Sequence, residues 1–285
     1  LLAIAYRILG SQADAQDAVQ ETFIKWWKSD RSLIKNEEAW LVKVCTRTCI
    51  DICRAATKKR VDYIGTWLPE PMLTIESEDI VSSGSITTAF LLVLERLNAK
   101  ERAAFVLREL FDRPYKEVAE VIGVKESNCR KIVSRAKDNL KTPKIKASLD
   151  KHMLENFLTT FKQAVITGNL EPLSGLLAQE ITLYADGGGK VPSVTAPIEG
   201  KFGVSEFILR VLNKFWQDQY WVFTSLNGQT GLLMYDQKKL VTALTFSLNI
   251  EGQVDNIFIV RNPDKLNHLP QKTNLNQDKN TQGID

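Results

Sequence analysis

Asp186-Gly187-Gly188-Gly189-Lys190 joins a carboxylate, three glycines and an ammonium within one short stretch. Placed at the end of a strand, it could do two kinds of chemistry. The carboxylate could act as a general acid or base. Alternatively, glycine N–H groups together with Lys190 could cradle an anion. A third reading is a tight turn that docks against another part of the chain. Histidine adds little, because the chain has two, His152 and His268, at either edge of the segment that holds Asp186. Cys45, Cys49 and Cys53 recur every four residues and so line one stripe of a helix. Zinc sites instead use CxxC pairs on turns with partners elsewhere. These cysteines, and Cys129 on another apolar stripe, read as small buried hydrophobes, so no metal and no cofactor is expected.

A second motif raises a different question. Trp67-Leu68-Pro69-Glu70-Pro71 lies in a stretch of loop-like composition, yet linkers that need only flexibility use Gly and Ser. The two prolines hold an extended conformation at little entropic cost on binding. Trp67 and Leu68 offer apolar area, and Glu70 can meet a cation.

Charge divides the chain. Residues 1–60 carry a net of +4, 61–95 of −6, 96–151 of +7 and 152–285 of −2, within an overall +3. Two basic segments around an acidic one point to two polyanion-binding modules joined by a segment that avoids DNA or imitates it. No apolar run approaches the roughly 20 residues that span a bilayer, and "LLAIAYRILG" has no basic leader, so it reads as an amphipathic helix, not a signal peptide. A cytoplasmic protein without membrane association is expected. Since Leu1 is not Met, the native start is expected upstream.

The elements that must position these residues follow from periodicity. Ser11 is a helix cap, and Ala15, Ala18, Val19, Thr22, Phe23 and Trp26 repeat with the helical period. In the next helix Leu41, Val44, Cys45, Thr48, Cys49 and Ile52 face inward, with Lys43, Arg47, Asp51, Arg54 and Lys58 outward. After the linker, "RPYKEVAEVIGVKESNCRKIVSRAKDNL" reads as a helix opened by Pro114, a turn at Gly123 and a basic helix from about Glu126 to Leu140. Beyond 151 two helices precede segments of period-two alternation, "EITLYAD", "YWVFTSLN", "TGLLMYD", "KLVTALTFSLN" and "QVDNIFIV". These predict an antiparallel sheet, with a helix at about Val204–Trp216 between its strands. The α+β segment is expected to be a curved sheet wrapped by helices. The polar stretch 267–285 is expected to be a disordered tail.

"SQADAQDAVQETF", "WLVKVCTRTCIDICR" and the segment from Leu97 to Lys137 together resemble the two conserved parts of extracytoplasmic-function sigma factors of bacterial RNA polymerase. "WLPEP", "DGGGK" and "NPDKL" (Asn262, Pro263, Asp264, Lys265, Leu266) resemble the subgroup with a fused C-terminal SnoaL-like domain. The resemblance implies a multidomain protein: a helical sigma-2 domain at 1–62, an acidic linker at 63–86, a sigma-4 helix-turn-helix at 87–142, and an NTF2-like curved-sheet cone at 150–266.

The implied function is promoter recognition and transcription initiation, with RNA polymerase core enzyme and promoter DNA as partners. Asp14, Asp17, Gln20, Glu21 and Phe23 match the core-docking motif. Acids on an exposed helical face suit a basic coiled coil, with Phe23 as apolar anchor. Arg47, Arg54, Lys58, Lys59 and Arg60 would meet the minus-ten element, with Asp51 orienting Arg47. Trp40 is read as a core aromatic. Ser127, Asn128, Arg130, Lys131, Ser134 and Arg135 lie off the buried stripe of the second basic helix and would face the minus-thirty-five element. Lys125 stands where the family often has a Ser or Thr cap, so the helix start is expected to fray or shift. The SnoaL-like superfamily includes enzymes that use an Asp or a His in a conical cavity. The alternatives are therefore a small-molecule sensor or enzyme built on Asp186, or a two-module DNA-binding repressor. The favoured reading is docking: Trp67–Pro71 seats near Asp186–Lys190 or Asn262–Leu266.

Overall fold

The computed structural model describes residues 1–59, 62–74, 87–140 and 151–271, with 57–59, 151 and 152 described by helical backbone alone. The chain divides into two compact units. The first holds Leu1–Asp62 and 90–140, the second 63–74, 87–89 and 151–271.

In the first unit, α1 (Leu2–Leu9) stops at Gly10, whose left-handed backbone (φ 67°) lets its N–H reach Tyr6 O. Ser11 restarts the chain, its hydroxyl accepting from the Asp14 amide to cap α2 (Gln12–Lys28). Asn36 does the same for Ala39 at the start of α3 (Glu37–Lys59). Burial on α3 takes in Val42, Cys45, Thr46, Thr48, Cys49, Ile50 and Cys53, a wider arc than the expected stripe, with Leu41, Val44 and Ile52 only half-buried. The arc is wide because α3 packs on α1, α2, α5 and α6 at once.

Helix α4 (Thr88–Leu94) is followed by α5 (Ala99–Phe105), whose capping box pairs the Asn98 side chain with the Glu101 amide and the Glu101 carboxylate with the Asn98 amide. A π turn, Val106–Leu110, extends it. Arg102, nearly fully buried, forks onto Glu95 at 2.6 and 3.0 Å and donates to Ile8 O at 3.0 Å, tying α1 to the α4–α5 segment. Helix α6 (Tyr115–Ile122) ends at Gly123 (φ 70°), and α7 (Glu126–Asn139) follows, with Cys129, Val133 and Ala136 inward.

Helix α7 starts at Glu126 with Lys125 as an N-cap that makes no side-chain bond. The backbone supplies the end instead: Lys125 O accepts from the Asn128 and Cys129 amides. Lys125→Ser is therefore expected to stabilise the first unit by about 0.5–1 kcal/mol, read as a higher urea midpoint at unchanged slope. An unchanged midpoint would show that this helix end has no use for a cap.

The second unit opens with α8 (Lys151–Thr167) and a four-residue α9 (Glu171–Ser174), shorter than the helix expected there because Leu177 and Ala178 already belong to β1. The strands are β1 (Leu177–Asp186), β2 (Ile198–Glu199), β3 (Tyr220–Leu226), β4 (Gln229–Asp236), β5 (Lys239–Leu248) and β6 (Val254–Val260). Between β2 and β3 run α10 (Lys201–Phe207), a π turn and α11 (Asn213–Trp216). Strand order is β2-β1-β6-β5-β4-β3, with β2 and β3 as open edges, so the sheet is not a closed cone.

The sheet is also mixed, which corrects the antiparallel expectation: β1 runs parallel to β6, with Leu183 opposite Ile257 and Asp186 opposite Val260. Alternation reports which face a side chain takes, not the direction of the neighbouring strand. One sheet face packs on α8 and α10–α11. Phe157 and Phe246 rings meet there at 4.6 Å, with Phe161 and Trp221 beside them. These rings pack together in the helix-covered core of the domain. The described part of the expected tail is ordered: Leu269 is buried, Tyr235 donates to Pro270 O at 3.0 Å, and Leu240 N donates to Gln271 Oε1 at 3.1 Å. Polar composition at 267–271 hid one well-placed leucine. Residues 272–285 lie outside the described residues.

Candidate functional site

Asp186 ends β1 and is fully buried. Leu183 and Ala185 belong to the helix-covered core, so Asp186 and Tyr184 project from the opposite face, where Tyr184 stacks on Phe258. The carboxylate therefore does not point into the domain interior. Its oxygens are saturated by four donors. Oδ1 accepts from Tyr63 OH at 2.5 Å and Gly188 N at 3.0 Å; Oδ2 accepts from Leu68 N at 2.8 Å and Lys265 Nζ at 2.7 Å. Burial, then the bond to Asp186, raises the Tyr63 phenol well above its ordinary value and keeps it a donor.

Lys265 closes the arrangement. Its ammonium is buried, donates also to Leu68 O, and lies 4.1 Å from the Trp67 ring centroid and 5.3 Å from that of Tyr63. Leu68 thus gives its N–H to the carboxylate and its carbonyl to the ammonium. Pro69, Glu70 and Pro71 are buried beside it, and His268 Nε2 bonds to Pro71 O at 2.8 Å. A helix start presents Lys265: Asn262 caps α12 (Pro263–Leu266) by accepting from Asp264 N, and Pro263 takes the first position.

The glycines serve close approach. Gly188 (φ 61°) and Gly189 (φ 69°) are left-handed; a Cβ would lie 2.3 Å from Asn262 Nδ2 at the first and 2.9 Å from Ile64 Cδ1 at the second. Gly188 N and Lys190 N are spent on Asp186 and Gly187 O, which removes them from an anion cradle. Lys190 pairs with Asp264 at 2.5 Å on the surface, worth at most about 1 kcal/mol.

On the first unit, Asp17, Gln20 and Glu21 are exposed on α2, Asp14 is half-exposed, and Glu21 pairs with Lys25. Phe23 is not part of the buried stripe; it is 46% exposed, beside Ile24 at 54% and Trp27 at 78%. Sequence reasoning missed Ile24 and Trp27. The signal was a second apolar row at Phe23, Ile24 and Trp27 on the face away from Ala15 and Ala18. Trp40 packs edge-on to Trp26 at 5.2 Å.

Arg47 departs from its expected place among open DNA-facing residues. Its Nε donates to Val121 O at 3.0 Å and its NH2 to Glu120 O at 2.9 Å, the last carbonyls of α6. A cation at a helix C-terminus answers unpaired carbonyls and the dipole. Asp51 pairs with Arg54 at 3.6 Å, not with Arg47. The side chains of Lys58 and Lys59, and Arg60 altogether, lie outside the described residues. On α7, Ser127, Asn128, Arg130, Lys131, Ser134 and Arg135 are all exposed, and Arg130 is held between Glu126 and the Tyr115 ring.

Residues 1–59 match the Sigma-70 region 2 family and residues 87–140 the Sigma-70, region 4 family. The ECF RNA polymerase sigma factor SigJ of Mycobacterium tuberculosis is 32% identical over 286 residues, covering 95% of this chain and 91% of that one. The chain belongs to the extracytoplasmic-function (ECF) sigma factors. The probable ECF RNA polymerase sigma factor SigI of the same organism is 26% identical, covering 94% of this chain and 92% of its own. The SigJ crystal structure aligns with a TM-score of 0.75 at 29% identity over 94% of both chains. In ECF terms, α2 and α3 lie in region 2, the α6–α7 helix-turn-helix lies in region 4, and the sheet unit is the fused SnoaL-like domain. Among the described residues of this ECF factor, no helix is long and apolar enough to cross a membrane.

Proposed function

We propose that the SnoaL-like domain regulates this sigma factor in cis, by holding the Trp67–Pro71 segment, and that it is not an enzyme. The supporting observation is the Asp186 carboxylate, whose four bonds are all internal and two of which go to residues of the segment following region 2. A carboxylate so saturated, on the face away from the packed interior, has no lone pair to offer a substrate. The proposed division is region 2 at 1–62 for core docking and the minus-ten element, 63–86 as linker, 87–142 for the minus-thirty-five element, and the regulatory domain from 150, extended past 266 to take in Leu269.

The sigma factor docks on core polymerase in the cytoplasm and holds promoter DNA with two basic modules. Its mechanism is binding and strand opening, not bond chemistry. Arg54→Glu with Lys58→Glu is expected to abolish open-complex formation while leaving core binding intact, since each lost phosphate contact weakens DNA binding and its salt dependence. Run-off transcription and a core pull-down measure the two effects, and full-length transcript from the double variant would overturn the minus-ten assignment. For the regulatory half, Asp186→Ala should change transcript yield with no added ligand; unchanged yield would remove the support for regulation in cis.

A further inference from the structure

Asn227-Gly228 is the two-residue turn between β3 and β4, and the chain's one Asn-Gly pair. Both residues are left-handed, at φ 49° and 71°, the backbone that such a turn demands. The pair also carries a reaction that needs no enzyme. Gly228 N can attack Asn227 Cγ, closing a cyclic imide as the Cγ–Nδ2 bond breaks. Gly228 N gives up its proton to solvent, and Nδ2 leaves as ammonia, taking a proton from water. Water then opens the imide at either carbonyl, leaving an aspartate or an isoaspartate. Glycine, lacking a Cβ, gives its nitrogen the freest approach to the neighbouring side-chain carbon.

In the folded domain a cover blocks that approach. Residues 72–74 follow directly on Trp67–Pro71, lie in the same compact unit as the turn, and bridge onto β3 through Leu73 and Leu226. Gly228 N, the attacking atom, donates its hydrogen to Thr74 Oγ1 at 2.7 Å. Asn227 Oδ1 accepts from Met72 N at 2.9 Å, and Asn227 N donates to Met72 O at 2.8 Å. Thr74 N donates to Ser225 O at 3.0 Å, and Asn227 Nδ2 to Thr88 Oγ1 at 3.1 Å. Nucleophile and electrophile are thus each held by residues 72–74, and Asn227 is buried. We propose that Asn227-Gly228 is a modification site, protected while residues 72–74 cover the turn and deamidated when they lift off it. Release of Gly228 N is required however the amide itself is held. An opening of the cover is then recorded in the chain, as a carboxylate with no donor where the amide had one. The site rests on the turn and its cover, and stands whether or not the SnoaL-like domain regulates transcription.

Peptide mapping by mass spectrometry on the full chain, incubated at mildly alkaline pH, tests it. The readout is the rate at which the peptide holding residues 227 and 228 exchanges its amide for an acid. The chain unfolded in urea gives the unprotected rate. The folded chain is expected to react slower by on the order of a hundredfold, because several hydrogen bonds must open together. Thr74→Val keeps shape and removes the acceptor of Gly228 N; the folded variant is expected to react about fivefold faster, the equivalent of one lost hydrogen bond. Thr74→Ser, which keeps the hydroxyl, should retain the protection. No reaction in the unfolded chain would overturn the site. A folded chain that reacts at the unfolded rate, or a rate unmoved by Thr74→Val, would overturn the cover. If Thr74→Ser speeds the reaction as much as Thr74→Val, the effect is general loosening and the proposal fails.

Discussion

Asp186→Ala is expected to destabilise the C-terminal domain by about 3–5 kcal/mol, the range for breaking one side of a buried ion pair. The substitution removes the carboxylate that lies 2.7 Å from the Lys265 ammonium, a group only 5% exposed. It also strips the acceptor from Tyr63 OH, Leu68 N and Gly188 N. Each buried donor left unpaired adds its own desolvation penalty. Thermal melting of the full chain should show the sheet domain unfolding earlier while the helical unit, which shares none of these bonds, melts where it did. Lys265→Met should be milder, because it removes the charge and leaves an apolar stem against Trp67. Combining the two should cost less than their sum, since a buried pair replaced by apolar groups no longer carries an unmatched charge. Additive losses would mean that the carboxylate and the ammonium act separately, and the cluster would then not be one unit.

Phe23→Ala with Trp27→Ala is expected to weaken binding to core polymerase by about 30-fold or more per residue, the scale of an interface hot spot at about 2 kcal/mol. Folding should be unaffected, because the two rings are 46% and 78% exposed and contribute little to the packing of α2, which rests on Ala15, Ala18 and Thr22. Exposed aromatics in a row, with Asp17, Gln20 and Glu21 adjoining, form an apolar centre with an acidic rim. A competition assay against the unmodified chain gives the affinity ratio, and the melting curve gives the control. Equal affinity would move the docking site off this face of α2.

Much of this was legible in local patterns. Ser11 marks a helix start through capping chemistry that involves neighbours only, and it functions as read. The strands from β3 to β6 follow from alternation, because a sheet face is set by parity along the strand. Gly188 and Gly189 announced unusual backbone, though not whose side chains would fill the space where a Cβ would be. Arg47 was read as open because helical spacing placed it on the outer face of α3. What occupies that face is α6, from a segment more than seventy residues later, whose terminal carbonyls take the guanidinium. Asn227 gave no signal at all beyond a turn, since its other bonds reach residues 72 and 88.

The sequence by itself determined most of the helices and the Ser11 cap, the helix-turn-helix, five of the strands, and the residue types of the three short motifs. Those features depend on period, on turn chemistry and on backbone freedom, all properties of a few adjacent residues. Only the tertiary structure decided that β1 runs parallel to β6, that Asp186 turns from the interior, and that its four donors come from Tyr63, Leu68, Gly188 and Lys265. Strand direction escapes local reading because alternation reports a side chain's face and not its neighbour's direction. The buried charge escapes it because three of its four donors, Tyr63, Leu68 and Lys265, are brought by the fold from distant positions.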